Sequence, residues 1–494
     1  MTQRIENREA LTSHGNQAGR RAMVEILEAG LQATDPYDNT TKLIRLEGDR
    51  LIVGGSIFEP AGAPKTGDEV FDLTKIRNIY VFGAGKGIQR VAKAVEDALG
   101  ERLTGGWVVD KKGHAVICRK VGVTLGAHPA PDIDCVRGCE KIYAMIKEKV
   151  RSDDLVFTCV ANGVSSLLTM PAPGLNIDDV SEVTRVLQIQ HGAPTGDVNA
   201  IRNHVDMMKG GRISRYIHPA KAVHIIAHVP STWERLTRHN LWLHSLPDYT
   251  TFQTAIDSIN KFDAWNEIPA SVKDFLLRAD PAWESVKTEE FESWGNRIFC
   301  VMPGGKARRP QLPAAMEKAA ALGFQPVIMT DELHGIDARQ AGIYVASVCR
   351  AIERAGYPFE PPCALFSCGE MLVTVGKETG IGGRNQEFAL SAAQFIAGSK
   401  NIVIGSVDTD GTDGPGIQYT PEKFEDMPPC LAGGITDGET IAQAAKTGVN
   451  IVEEMKRHNT SPALWRLKSG VAATPSISMA DLTAALVMGR SAEK

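Results

Sequence analysis

The sequence predicts an α/β protein of two domains, each with a mostly parallel sheet flanked by helices. Three observations carry that expectation. The chain has 494 residues, enough for two or three domains with real cores. Short β-rich apolar runs alternate with amphipathic helical runs, the βαβ pattern of parallel sheets. The alternation occurs in two blocks, separated by a stretch at 231–298 that breaks it and holds five of the seven tryptophans.

Taken in order, residues 16–33 read as an amphipathic helix, with Ala22, Val24, Ile26, Leu27 and Leu31 at helical spacing. Residues 42–55 read as a hairpin turning at Gly48-Asp49, and the Pro/Gly-rich 60–69 as a loop. The first block then runs strand 78–82, helix 88–99, strand 105–110, helix 137–150 and strand 154–160. "AVHIIAHV" (222–229) reads as a further strand, and the rest of the Trp/His-rich segment 224–294 as loops and helices. The second block runs strand 297–302, helix 311–323, strand 325–329, helix 336–356, strand 363–369, helix 387–398 and strand 401–407. A boundary near 295 gives an N-terminal α/β domain (1–295) and a C-terminal α/β domain (296–494). No internal repeat is evident.

Composition narrows the function classes. Hydrophobic content of 43% and charged content of 23% are those of an ordinary soluble globular protein. A net charge of −5 lacks the basic footprint of a nucleic-acid binder. No run has the length of a membrane-spanning helix. The charged N-terminus lacks the apolar core of a secretory signal. Nine scattered cysteines without C-x-x-C spacing read as reduced thiols. The expected location is therefore the cytoplasm.

Four stretches hold candidate chemistry. "YVFGAGKGIQRVAKAVEDALG" (80–100) is a strand, a glycine turn and a helix, where backbone N–H groups and Lys86 suit phosphate or carboxylate. A dinucleotide site, with Asp110 as its ribose-binding acid, is weakened by Ile88 at the third glycine position. The plain alternative is a tight turn with an exposed lysine. "ETGIGGRNQEFAL" (378–390) crowds Gly380, Gly382 and Gly383 before Arg384, whose guanidinium can fork onto anionic oxygens. The plain alternative there is a hairpin loop with local salt bridges. "SVDTDGTDGPG" (406–416) places Asp408, Asp410 and Asp413 beyond a strand end, as Mg²⁺ ligands or as turn residues. "GDVNAIRNHVDMMKGGR" (196–212) offers Asn199, Arg202 and Lys209 on one helical face, as an anion clamp or as a solvated face. Six of the twelve histidines lie between 204 and 244; His224 and His228, four apart on a strand, stand too far apart for one metal.

"FGAGKG" (82–87), "HPAPD" (128–132), "NAIRNHVDMMKGG" (199–211), "GE" (369–370) with "GIGGRNQEFAL" (380–390), and "DTDGTDGPG" (408–416) occur in that order. By these motifs the chain resembles the MOFRL-type glycerate 2-kinase family, whose members are also named hydroxypyruvate reductases. The resemblance spans about residues 16–488, with the MOFRL-like region at about 363–488. It implies two domains enclosing an active-site cleft where ATP and Mg²⁺ serve to phosphorylate the 2-hydroxyl of D-glycerate. The family's key lysine falls on Lys86 and its key arginine on Arg384. In that frame Arg384 meets the transferring phosphoryl group or the substrate carboxylate. Mg²⁺ sits near Asp410 and Asp413, and Asn199 and Arg202 orient the carboxylate. Ser165, Gly382, Gly383, Asn385, Glu387 and Glu370 complete the binding set.

The chain also departs from the family pattern. The loop typically SGGGSALL is "ANGVSSLL" (161–168), losing two glycines but keeping Ser165. The SDV-x-GD stretch is "AHVPSTW" (227–233), the SGPT loop is "WLHS" (242–245), and GPTGTNVNDL is "VAATPSISMADL" (471–482), which keeps Asp481. Gained aromatic bulk and lost acids suit a larger or less polar ligand. Two main readings follow. One is an ATP-dependent kinase of glycerate or a bulkier 2-hydroxy acid. The other is a repurposed lyase, decarboxylase or hydrolase acting on an aromatic or branched carboxylate without ATP. That enzyme would use His228 and His244 as acid–base groups or as ligands of a transition metal. A non-catalytic sensor and an NAD-linked reductase are the remaining alternatives. The expected partner is a small carboxylate, not nucleic acid or membrane, and homodimerisation is left open.

Overall fold

The hairpin read at 42–55 is present. β1 (Ile44–Glu47) and β2 (Arg50–Val53) pair antiparallel around Gly48, whose φ of +61° favours glycine. β3 (Glu69–Asp72) completes a small three-stranded sheet. These strands belong to the first of two compact units in a computed structural model of the chain, Pro36–Pro303; the second unit joins Met1–Asp35 to Gly304–Lys494. The structure describes residues 3–128, 130–229, 231–302, 309–375, 378, 380–414, 416 and 426–490.

The unit Pro36–Pro303 is built on six strands. They are β4 (Ile79–Ala84), β5 (Gly105–Lys111), β6 (Val121–Gly126), β7 (Leu155–Val160), β8 (Lys221–Ile226) and β9 (Arg297–Cys300). Their order is β6-β5-β4-β7-β8-β9 and every pairing is parallel, as the alternation predicts. Every residue of β4 and β7 is buried, because helices cover both faces of a parallel sheet. Phe82, Val109, Ile142, Val156 and Ile226 share its core, and each such side chain contributes roughly 1.5–3 kcal/mol by leaving water. The helix read at 137–150 starts earlier, as Ile133–Lys149, because Asp132 caps it by accepting from Cys135 N at 3.2 Å.

The Trp/His-rich segment forms short helices, including Phe252–Lys261 and Ala270–Arg278. Trp265 and Trp283 pack on a second core around Phe252, Ile259 and Phe275. Trp233, Trp242 and Trp294 pack against the sheet core instead. β9 pairs with β8, so the strand read as the start of the second domain closes the first. The division falls at 303/304 rather than near 295.

In the second unit the strands are β10 (Gln325–Asp337), β11 (Cys363–Leu372), β12 (Ile402–Asp408), β13 (Gly433–Asp437), β14 (Gly470–Val471) and β15 (Asp481–Val487). The order is β10-β11-β15-β12-β13-β14. β10 and β11 pair in parallel; the other four pairings are antiparallel, so this sheet is mixed rather than mostly parallel. Two of the four come from one insertion. β11 and β12 run in one direction, as helical crossovers dictate, but β15 returns from the end of the chain and slots between them, antiparallel to both.

The first 35 residues belong here and not, as the boundary near 295 implies, with the N-terminal domain. Helix Gln17–Ala33 sets Met23, Leu27 and Leu31 into one core with Val403, Leu482 and Leu486. Arg20 Nε meets Asp437 Oδ2 at 2.5 Å, with both side chains at most 1% exposed. Among the described residues no helix is long and apolar enough to cross a membrane.

Candidate active site

In the first unit the chain leaves β4 towards β5 on one side and later reaches β7 on the other. The carboxyl ends of β4 and β7 therefore flank a topological switch point, where doubly wound sheets bind ligands. Two glycine-bearing turns meet there. Lys86 N donates to the Asn162 carbonyl at 2.8 Å. Gly87 and Gly163 have φ of +69° and +84°. A Cβ at Gly163 would stand 2.8 Å from Lys86 Cγ and 3.1 Å from His128 Cδ2. The one glycine kept in "ANGVSSLL" is thus the one over which the Lys86 side chain runs. Asp110 is not a ribose ligand. It is 1% exposed and binds the turn that follows β4, accepting from Gly87 N at 2.8 Å and Gln89 Nε2 at 3.1 Å, with His114 Nδ1 at 3.0 Å.

Ser165 follows in the short helix Val164–Leu167, its Oγ 2.9 Å from His244 Nε2. His244 is buried; burial, then the charges of Lys209 and Arg202, hold its pKa well below the ordinary histidine value, so the ring is neutral. Lys209 Nζ lies 2.6 Å from Asp206 Oδ2 and donates to Thr169 Oγ1 at 2.8 Å, sealed from water. Arg202 donates to Asn199 Oδ1 at 3.2 Å and Thr184 Oγ1 at 3.0 Å, both neutral acceptors. Burial lowers its pKa to about 10. Helix Thr195–Arg202 ends at Arg202, so Lys209 is not on its face. All three candidates are buried, and none lies on a solvated face. Among the described residues, Arg202 and Lys209 face one carboxylate, Asp206, and a buried charge without its own counter-charge is costly. An anionic ligand would offset that cost.

The histidines do not gather around a metal. His224 sits inside β8, 2.6 Å from Thr158 Oγ1, its pKa lowered to about 3 by burial. His228 packs edge-on against Trp242 at 5.5 Å. Among the described residues no three His, Cys, Asp or Glu side chains stand together as a metal-ligand set.

In the second unit Arg384 opens the helix Arg384–Ile396. Its Nε donates to Asp481 Oδ2 at 2.8 Å and its Nη2 to Asp408 Oδ2 at 2.8 Å, while Glu370, 60% exposed, stands 3.7 Å away. Burial works against the Arg384 charge, but Asp408 and Asp481 outweigh it and raise its pKa. Asp413 caps the same helix from another loop, accepting from Asn385 N at 3.2 Å and Gln386 N at 3.0 Å. Asn385 Nδ2 bridges Asp413 and Asp481 at 3.1 and 2.7 Å. Burial pushes both carboxyls up to about 6, with Arg384 pulling the other way. Asp410 is buried and takes the Thr412 amide and hydroxyl, each at 2.7 Å. Glu387 points elsewhere, into an ion pair with Arg339 and a contact with His458 Nδ1. Gly382 and Gly383 serve close packing: a Cβ at Gly382 would strike Thr460 Oγ1, and one at Gly383 the Asp413 carboxyl.

Sequence reading did not assign roles to Asp481, His128 or Asn162. Asp481 was legible only as an acid kept in an altered motif. The other two lie in motifs whose partners become apparent only when β4 and β7 pair.

One unit is a doubly wound sheet with a cationic switch point, and the other is a mixed sheet carrying a buried Arg–Asp centre; together they define a two-unit α/β protein. The chain belongs to the MOFRL-type glycerate 2-kinase family: the model for a domain of unknown function, DUF4147, matches residues 22–277, just over half the chain, and that of the MOFRL family matches 363–478. It is 29% identical to the glycerate 2-kinase of Pyrococcus horikoshii, over 91% of this chain and 92% of that one. It is likewise 29% identical to the D-glycerate 2-kinase of Thermotoga maritima, over 80% and 87%. A crystal structure of glycerate kinase from Thermotoga maritima matches with a TM-score of 0.69 at 25% identity, covering 96% of this chain and all of the other.

Proposed function

We propose that the chain is an ATP-dependent kinase that phosphorylates the hydroxyl of glycerate, acting in the cytoplasm. The observation that supports this most, in a chain of this family, is the cationic switch point: Lys86 runs over Gly163, and among the described residues buried Arg202 donates to the neutral acceptors Asn199 and Thr184. Phosphoryl transfer needs positioning and charge neutralisation more than covalent chemistry. Lys86, a compact mobile charge, suits phosphate oxygens. Arg202, aligned by Asn199 and Thr184, suits the substrate carboxylate. Arg384, aimed by Asp408 and Asp481, is the second catalytic cation.

Hard carboxylate oxygens fit Mg²⁺, which takes one or two from protein and the rest from phosphates and water. Asp410, just beyond β12, is the residue that would hold it. When bound, the ion would supply charge neutralisation on the phosphates.

The test is ADP release by purified protein with D-glycerate, with and without Mg²⁺. Lys86→Ala and Arg384→Ala should each lower kcat/KM at least about 100-fold, the scale of losing one group that stabilises developing charge. ADP release independent of any 2-hydroxy acid, or an Arg384→Ala loss no larger than that of a surface arginine, would falsify this reading.

A bulkier 2-hydroxy acid is a second reading, supported by the aromatic contact of His228 and Trp242 two residues from His244. A lower KM for phenyllactate than for glycerate supports it; the reverse order removes it.

A further inference from the structure

Ser165 lies two residues beyond Gly163, over which the Lys86 side chain runs. Its side chain is only partly buried, whereas its partner His244, 79 residues further along, is 1% exposed. A hydroxyl backed by a sealed neutral imidazole at hydrogen-bonding distance can pass a proton inward. Phosphoryl transfer to an alcohol needs such a route, because the attacking hydroxyl must lose its proton. We propose that Ser165 and His244 form the proton-accepting arm of this site, with Ser165 touching the substrate hydroxyl and His244 acting through it as a positioning residue.

The inference rests on the kinase reading. In the step, the substrate O–H bond breaks and its proton passes to Ser165 Oγ, while the Ser165 proton passes to His244 Nε2. The substrate oxygen forms a bond to the γ-phosphorus of the nucleoside triphosphate. The bond from that phosphorus to the bridging oxygen breaks, and the diphosphate leaves with the electron pair. His244 returns the proton to water as product leaves.

The charged groups acting on His244 are Lys209, in the turn after helix Thr195–Arg202, and Arg202 at the end of that helix. In the free chain burial first, and these two charges second, hold the ring neutral, so it begins the cycle as an acceptor. A bound carboxylate offsets their field.

The test compares wild type, His244→Gln and Ser165→Ala in ADP release with D-glycerate across pH. Gln keeps an acceptor oxygen for the Ser165 hydroxyl but cannot take up a proton. The expected result for both variants is a kcat lower by about 100-fold or more, with KM changed by less than about threefold. The acid limb of the wild-type kcat profile should disappear in His244→Gln. If His244→Gln shows no melting transition, Ser165→Ala carries the same readouts. A wild-type kcat and an unchanged acid limb in either folded variant overturn the relay and leave the kinase reading standing. Failure of the wild type to release ADP with any 2-hydroxy acid overturns the kinase reading, and the relay with it.

Discussion

Asp206 does the work of several residues. It faces Lys209 Nζ at 2.6 Å and accepts from Met170 N at 3.0 Å and Met208 N at 2.8 Å, all sealed from water. Removing it strands a buried charge and two amides. Asp206→Ala should destabilise the chain by about 3–5 kcal/mol, read as a shift of the urea midpoint. Asp413 gives a pH signature instead. Burial holds its folded pKa at about 6, above the ordinary 3.8, against the pull of Arg384. Between those values the folded chain keeps a proton that the unfolded chain has lost. Its contribution to stability is full below the lower value and is lost as pH rises through about 6. The melting temperature of wild type relative to Asp413→Asn should therefore rise as pH is lowered from 7 to 4; a constant difference would contradict the assignment. Lys86 and Arg384 were legible in the sequence because glycines frame them. The pairing of Ser165 with His244 was not, because it joins residues 79 apart whose meeting depends on a loop path.

At the scale of elements, the glycine loop before Arg384 has a purpose beyond any ligand. A Cβ at Gly414, where φ is +85°, would enter the carbonyl of Gly382, and one at Gly383 the Asp413 carboxyl. Two loops touch backbone to backbone, and the contact sets where the Arg384 helix begins. Gly414→Ala should cost about 1–3 kcal/mol, from overpacking and backbone strain together, seen as a lower melting temperature. The sequence pattern revealed five of the six strands of the first sheet, though it placed β9 in the second domain, and it missed β6, whose mixed sequence hid it. It gave the β10, β11 and β12 directions but not β15, since no local pattern says that a last strand will insert between two earlier ones. The start of helix Ile133–Lys149 was misread by four residues because Asp132 was seen as part of a motif and not as a cap.

At the scale of the whole chain, the two units differ in continuity: one is a single stretch, while the other is assembled from both ends of the sequence. The sequence revealed helix Gln17–Ala33 well through its apolar spacing, but spacing does not say which sheet a helix will cover. Arg20 and Asp437, 417 residues apart, decide that. Arg20→Ala should destabilise the Met1–Asp35/Gly304–Lys494 unit by about 3–5 kcal/mol, because the Asp437 charge stays buried without its partner. The loss is measurable as slower exchange protection building up, and faster amide exchange, in β12 and β13 than in β4 and β7.

The split unit also has a history that its finished form conceals. Helix Gln17–Ala33 is made well before β15, part of the core it joins. At bacterial or eukaryotic synthesis rates on the order of a minute separates the two. During that interval the helix has its apolar face uncovered while the inserted unit, continuous in sequence, has everything it needs to fold. The newborn chain therefore carries a sticky helix waiting for the strands that cover it, and chaperone capture during translation should fall on that helix before it falls on Pro36–Pro303.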